Sequence, residues 1–133
     1  MSDELGYADV VAGVSAAIAA YTQALDDGRT DDVVATFCDD GAVNIPGLGE
    51  AQGHDALRAA YDAVKPQVPQ RHLIVNTLVT DWSQTDATAS SDVVFMIRGE
   101  KGWSIFLVGR YADQLRHDRG TWRFAHRTAE FIT

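Results

Sequence analysis

The chain has 133 residues, 46% of them hydrophobic and 23% charged, which fits one globular domain over 1–133 and argues against a disordered, collagenous or multi-domain chain. Eleven basic residues against nineteen acidic ones leave a formal charge of -8, so no surplus of Lys or Arg exists to replace counterions, and nucleic acid and anionic membranes are excluded as expected partners. The lone Cys38 excludes an internal disulfide and a structural zinc cluster, and with them a secreted disulfide scaffold.

Residues 10–20 are apolar enough to resemble the core of a leader peptide, but Asp3, Glu4 and Asp9 stand where a positive segment would precede it. The run is also well short of the roughly 20 apolar residues that span a bilayer, so a cytoplasmic location is expected. Over 7–27 the residues Val11, Val14, Ile18, Tyr21 and Leu25 recur at steps of three and four, and Gly28 stands where a helix C-cap falls. This predicts a long amphipathic helix. Asp26 lies roughly 100° from the centre of its apolar stripe and Asp27 roughly 155° away on the other side, so Asp27 is solvated and Asp26 is a border residue. An anion at a helix C-terminus opposes the dipole, and Asp26 therefore calls for a compensating partner.

Thr30 can cap a second, short helix over 31–37, with Asp31 and Asp32 in its first turn and Val33, Val34 and Phe37 turned inward. Between 39 and 53, Asp, Gly and Pro surround an apolar segment, 42–45, that reads as a brief strand. Leu57, Tyr61 and Val64 mark a third helix, which Pro66 and Pro69 stop. Beyond Pro69 the period changes to two, predicting strands at 71–80, 87–98, 103–117 and 121–132. The turns at 99–102 and 118–120 are short enough for antiparallel hairpins and too short for parallel crossovers. The acids gather in the helical part: residues 1–62 carry twelve against Arg29 and Arg58, while the rest carries seven against nine bases. Helices followed by an antiparallel meander define an α+β fold and exclude a doubly wound parallel sheet.

Familiar cofactor motifs are missing. Gly47, Gly49 and Gly53 are misplaced for a dinucleotide fingerprint, no Walker, G-x-S-x-G or H-E-x-x-H motif occurs, and His54, His72, His117 and His126 lack metal-ligand spacing. No metal and no nucleotide cofactor is expected. Cys38 beside Phe37 reads as a small core hydrophobe, and Trp82, Trp103 and Trp122 as packing residues in or beside strands. His72 stands out because the period of two puts it with Ile74, Asn76 and Leu78 on one mostly apolar face. If that face points inward, His72 and Asn76 need partners, either structural groups or a ligand.

The stretches Ile18-Ala-Ala-Tyr21-Thr-Gln-Ala-Leu25-Asp26, Phe37-Cys-Asp-Asp40-Gly-Ala-Val43, Gly53-His-Asp-Ala-Leu57, Arg71-His72-x3-Asn76, Gly109-Arg-Tyr111 and Gly120-Thr-Trp122-Arg-Phe124 follow one another over nearly the whole chain. In that order they resemble the SnoaL-like branch of the nuclear transport factor 2-like superfamily. The resemblance implies a curved antiparallel sheet wrapped by three N-terminal helices into a cone with a pocket, often dimeric through the sheet. That fold hosts scytalone dehydratase, lindane dehydrochlorinase, ketosteroid isomerase, polyketide cyclases, dioxygenase small subunits and non-enzymatic binders, so the site must decide the activity. In the dehydratase and dehydrochlorinase branch a catalytic His on the first long strand pairs with an Asp from the end of the first helix, and His72 and Asp26 are similar in position.

The leading expectation is thus a cofactor-independent lyase or isomerase for a small, largely apolar molecule, with His72 removing a proton and Asp26 holding the imidazole and stabilising its charged form. Tyr21, Tyr61, Asn76, Trp103 and Trp122 are the candidate cavity walls, and Arg127 is a candidate source of positive charge for a developing oxyanion. The alternatives are a non-catalytic binding or assembly module and a polyketide cyclase. The long apolar strands 87–98 and 103–117 carry more hydrophobic positions than one helical layer covers, so a homodimer through the outer sheet face is expected.

Overall fold

The structure, a computed structural model, describes residues 4–132, so the expected domain span of 1–133 runs past it at both ends. In chain order the elements are α1 (Tyr7–Asp26), α2 (Thr30–Ala35), β1 (Phe37–Ile45), β2 (Gly49–Gln52), α3 (His54–Asp62), β3 (Gln70–Trp82), β4 (Asp86–Gly99), β5 (Gly102–Asp118) and β6 (Thr121–Ile132). The fold is α+β, with helices on one face of a curved six-stranded sheet.

Helix α1 forms where its spacing says it should. Val10, Val14, Ile18 and Tyr21 make its buried stripe, and the Asp9 carboxylate accepts the backbone N–H of Gly6 at 2.8 Å to close the first turn. Its end is a Schellman turn: Gly28 takes φ 72°, its N–H donates to Leu25 O, and the N–H of Arg29 donates to Ala24 O. Counted over its full twenty residues, α1 is long and apolar enough to cross a bilayer, which a count over 10–20 alone does not reveal. In this fold its stripe lies on the sheet instead. Close approach is possible because residue 13 is glycine: a Cβ there would collide with the indole of Trp122 on β6.

Several features depart from the sequence reading. Helix α2 stops at Ala35, and Phe37 opens β1 rather than closing the helix, so β1 is five residues longer at its start than the expected 42–45. Strand β2 was not foreseen, because Gly49–Gln52 is mostly exposed and held by main-chain pairing to β1, leaving no apolar alternation to read. The strand order is β2-β1-β6-β5-β4-β3. All neighbours are antiparallel except β1 and β6, which pair parallel, so the sheet is not the pure meander expected. Chain-distant strands are joined here by everything between them, from β2 to β5, which serves as the long crossover a parallel pair needs.

Bulges curve the sheet, and one of them changes which residues face inward. On β3, His72 and Ile74 alternate inward as expected, with Gln70 before them on the same face, but Asn76 takes φ 56° and the register with β4 shifts between Val75 and Leu78. After that extra residue the partly buried or buried positions are Thr77 and Val79, while Leu78 is exposed. The predicted face 72–74–76–78 therefore breaks after Ile74, since one inserted residue exchanges the two faces of a strand.

Candidate functional site

The C-terminal turn of α1 crosses the start of β3, which brings together residues 46 positions apart. Asp26 is buried, and its carboxylate accepts three hydrogen bonds. Oδ2 takes the backbone N–H of His72 at 2.8 Å, and Oδ1 takes the His72 imidazole Nδ1 at 2.6 Å and the Gln70 amide Nε2 at 3.1 Å. Those donors answer the unfavourable dipole at this end of the helix. Both carboxylate oxygens being acceptors, Nδ1 must carry the hydrogen, which leaves Nε2 of the neutral ring with the free lone pair. The ring is further fixed by stacking on Phe95 of β4, with centroids 4.2 Å apart and planes at 19°. Its side chain keeps 13% exposure, enough to meet a ligand, while that of Asp26 keeps 4%.

His72 borders a cavity of about 180 Å³ between the helices and the inner sheet face. The apolar walls come from Leu25 of α1, Ile45 and Leu48 around the β1–β2 turn, Val93 and Phe95 of β4, and Leu107 of β5. A cavity of roughly 150 Å³ accommodates benzene, so this one has room for a single-ring molecule. Its polar lining consists of His72, Gln70 and the hydroxyls of Tyr21, Tyr61 and Tyr111.

The tyrosines cluster in the cavity lining, with the Tyr21 ring centroid 5.8 Å from that of Tyr61 and 6.5 Å from that of Tyr111. The hydroxyls of Tyr21 and Tyr61 share a hydrogen bond of 2.7 Å, in which one donates to the other and one O–H is left over. Burial pushes the phenols of Tyr21, Tyr61 and Tyr111 well above the ordinary tyrosine value, so all three stay protonated donors. Beneath them lies Arg127, fully buried, its guanidinium carbon 3.6 Å from the centre of the Tyr111 ring and 4.3 Å from that of Tyr21. Asp113 faces it at 3.0 Å, also fully buried.

The structure thus brings His72, Asp26, Tyr21 and Tyr61 to one place, and places the other sequence-predicted site residues elsewhere. Asn76 sits exposed at the bulge, where its amide donates to Asp92 at 2.8 Å. Trp103 is 47% exposed at the β4–β5 hairpin. Trp122 is buried beside Gly13 and stacks on His117, away from the cavity lining. Arg127 does point inward but is sealed off by aromatic faces, so any charge it lends the cavity passes through them. Gln70, Tyr111 and Phe95 were missed. Gln70 was legible as the inward neighbour two positions before His72, whereas the partners from β4 and β5 depend on sheet register, which the sequence does not show. Among the described residues no group of three His, Cys, Asp or Glu side chains converges as a metal site.

The family model described as SnoaL-like domain matches residues 7–128 of the chain. Solved structures share the architecture. A Mycobacterium tuberculosis protein of unknown function superposes with a TM-score of 0.86 at 27% identity, over 96% of this chain and 76% of that one. The beta subunit of a candidate aromatic-ring-hydroxylating dioxygenase from Novosphingobium aromaticivorans gives 0.83 at 24% identity, over 96% and 93%. A candidate scytalone dehydratase from the same organism gives 0.81 at 22% identity, over 93% and 85%. No curated protein matches the sequence.

Proposed function

Since the chain belongs to the SnoaL-like domain family, whose fold carries many roles, we propose from its own site that it is a cofactor-independent lyase or isomerase acting on a small, largely apolar organic molecule. The observation that carries this reading is the Asp26–His72 pair: Nδ1 of His72 donates to a buried carboxylate at 2.6 Å while the ring borders an apolar cavity. A binding pocket gains nothing from a base whose tautomer is fixed, whereas proton abstraction does.

In this mechanism Nε2 of His72 takes a proton from a carbon made acidic by a neighbouring carbonyl. The C–H electron pair moves into a new double bond. In the lyase reaction a leaving group departs from the next carbon with its bonding pair, and a departing hydroxide collects the proton held on Nε2 to leave as water. In the isomerase reaction the same proton returns to a different carbon. Asp26 faces the imidazolium while it exists, and the spare O–H of the Tyr21–Tyr61 pair donates to the carbonyl oxygen as charge develops there.

The test is a panel of single-ring hydroxy ketones, followed by NMR in D2O for loss of water and for deuterium uptake at the carbon beside the carbonyl. Turnover is expected with the wild type. His72→Ala should reduce it by about 100- to 10,000-fold, the usual contribution of a general base, and Asp26→Asn should lower kcat by freeing the tautomer. Wild-type activity that survives in His72→Ala overturns the mechanism, and a panel that binds without reacting favours a non-catalytic binding module.

A further inference from the structure

The mechanism leaves unused a polar side chain of the cavity that sits on the same strand as His72. Gln70, at the first position of β3, is 7% exposed and lines the cavity two positions before His72 on the same strand face. Its amide is oriented by chemistry. Nε2 lies 3.1 Å from Asp26 Oδ1, and a carboxylate already taking two N–H groups from His72 can only accept. Turning the amide over would set oxygen against oxygen, so Oε1 is fixed as the atom left to the cavity. Among the described residues no donor meets Oε1, and the atom is not among those sealed from solvent without a partner.

We infer that Gln70 is a specificity-determining residue: its Oε1 is a second neutral acceptor of the cavity, beside His72 Nε2, and selects ligands that present a hydroxyl or N–H group beside the atom facing His72. The polar lining then divides by kind. The tyrosine cluster offers a donor, and the β3 wall offers two acceptors, Gln70 Oε1 and His72 Nε2, on residues roughly 7 Å apart along the strand. A ligand that satisfies both has an acceptor oxygen at one end and an O–H or N–H donor toward β3. The substrate class this adds to the proposed reaction is a hydroxylated or amino-substituted carbonyl compound of about one ring; the inference rests on that reading for its chemistry but not for its test. Through Nε2 the same amide also acts as a positioning residue for Asp26.

The test compares p-cresol with toluene, two single-ring probes that differ by one hydroxyl, in ¹H–¹⁵N NMR titrations of the wild type and Gln70→Met. The quantity read is the ratio of the two affinities within each protein, which cancels general changes in packing. The ratio should fall about fivefold in Gln70→Met, the worth of one neutral hydrogen bond. Toluene affinity shows whether Gln70→Met keeps the cavity; if it does not, Gln70→Leu decides by the same ratio. An unchanged ratio in Gln70→Met, a fall in Tyr61→Phe instead, or no saturable binding of p-cresol by the wild type overturns the inference. Because no turnover is involved, these results stand apart from the His72 assignment. The ¹⁵N signals of the His72 ring test the positioning role, since loss of the Gln70 bond should change its tautomer populations in Gln70→Met and a purely structural role should not.

Discussion

Asp26 is stable where a helix dipole disfavours it because three donors converge on it, and that convergence sets the chemistry of His72. A second carboxylate, Asp113, meets a different fate. It is fully buried beside the equally buried Arg127, and burial outweighs the cation and pushes its carboxyl up to about 6 from 3.8. A raised pKa means that the folded chain takes up this proton at a higher pH than the unfolded chain does. Between about pH 4 and 6 the folded state therefore binds more protons, and stability from this group falls as pH rises through that window and levels off above it. Chemical denaturation of wild type and Asp113→Asn at pH 4 to 7 checks the sign. The difference in unfolding free energy between them should slope downward with pH in the wild type's disfavour up to about 6 and flatten beyond, and a slope of the opposite sign excludes the assignment.

At the scale of an element, β3 depends on Asn76. Its left-handed backbone, φ 56°, inserts the extra residue that lets Gln70 and His72 face the cavity at one end of the strand while Thr77 and Val79 turn inward at the other. Asn accepts that conformation readily, and a β-branched residue does so only at a cost of about 1–2 kcal/mol. Asn76→Val is thus expected to lower stability by about that amount although the side chain is exposed and valine is the better strand former, whereas Asn76→Gly should be nearly neutral. Thermal unfolding of both variants checks this. Equal Tm shifts would mean that the lost hydrogen bond to Asp92, rather than backbone strain, carries the effect.

For the whole molecule, the outer face of β3, β4 and β5 is the part the fold leaves bare. Register aligns Leu73, Val94 and Val108 across it, with Met96 beside Ile105 and Val75 nearby. Leu73 is 45% exposed and Ile105 63%. Contiguous apolar surface of this kind is what self-association covers, and a twofold pairing makes one patch serve both partners. Light scattering at high micromolar concentration should give twice the 14.5 kDa chain mass, and Leu73→Lys should return it toward one. A wild-type mass of one chain at that concentration removes the dimer without touching the fold.

The local chemistry of the chain determined much by itself. Helical spacing in α1, the proline stop after α3 and the period of two beyond Pro69 each arise from near neighbours, so the α+β order of elements was legible, as was the prominence of His72 on an apolar face. The border position of Asp26 was legible too, as a residue in want of a partner. Tertiary structure alone decided the partner, because the contact spans 46 positions and depends on where α1 crosses β3. It likewise decided the parallel pairing of β1 with β6, the exposed edge strand β2, and the rejection of Asn76, Trp103 and Trp122 from the cavity. The reason is the same in each case: a main-chain pairing, a one-residue bulge or the meeting of distant strands carries no hydrophobic period of its own, and only the assembled sheet shows which side chains share a space.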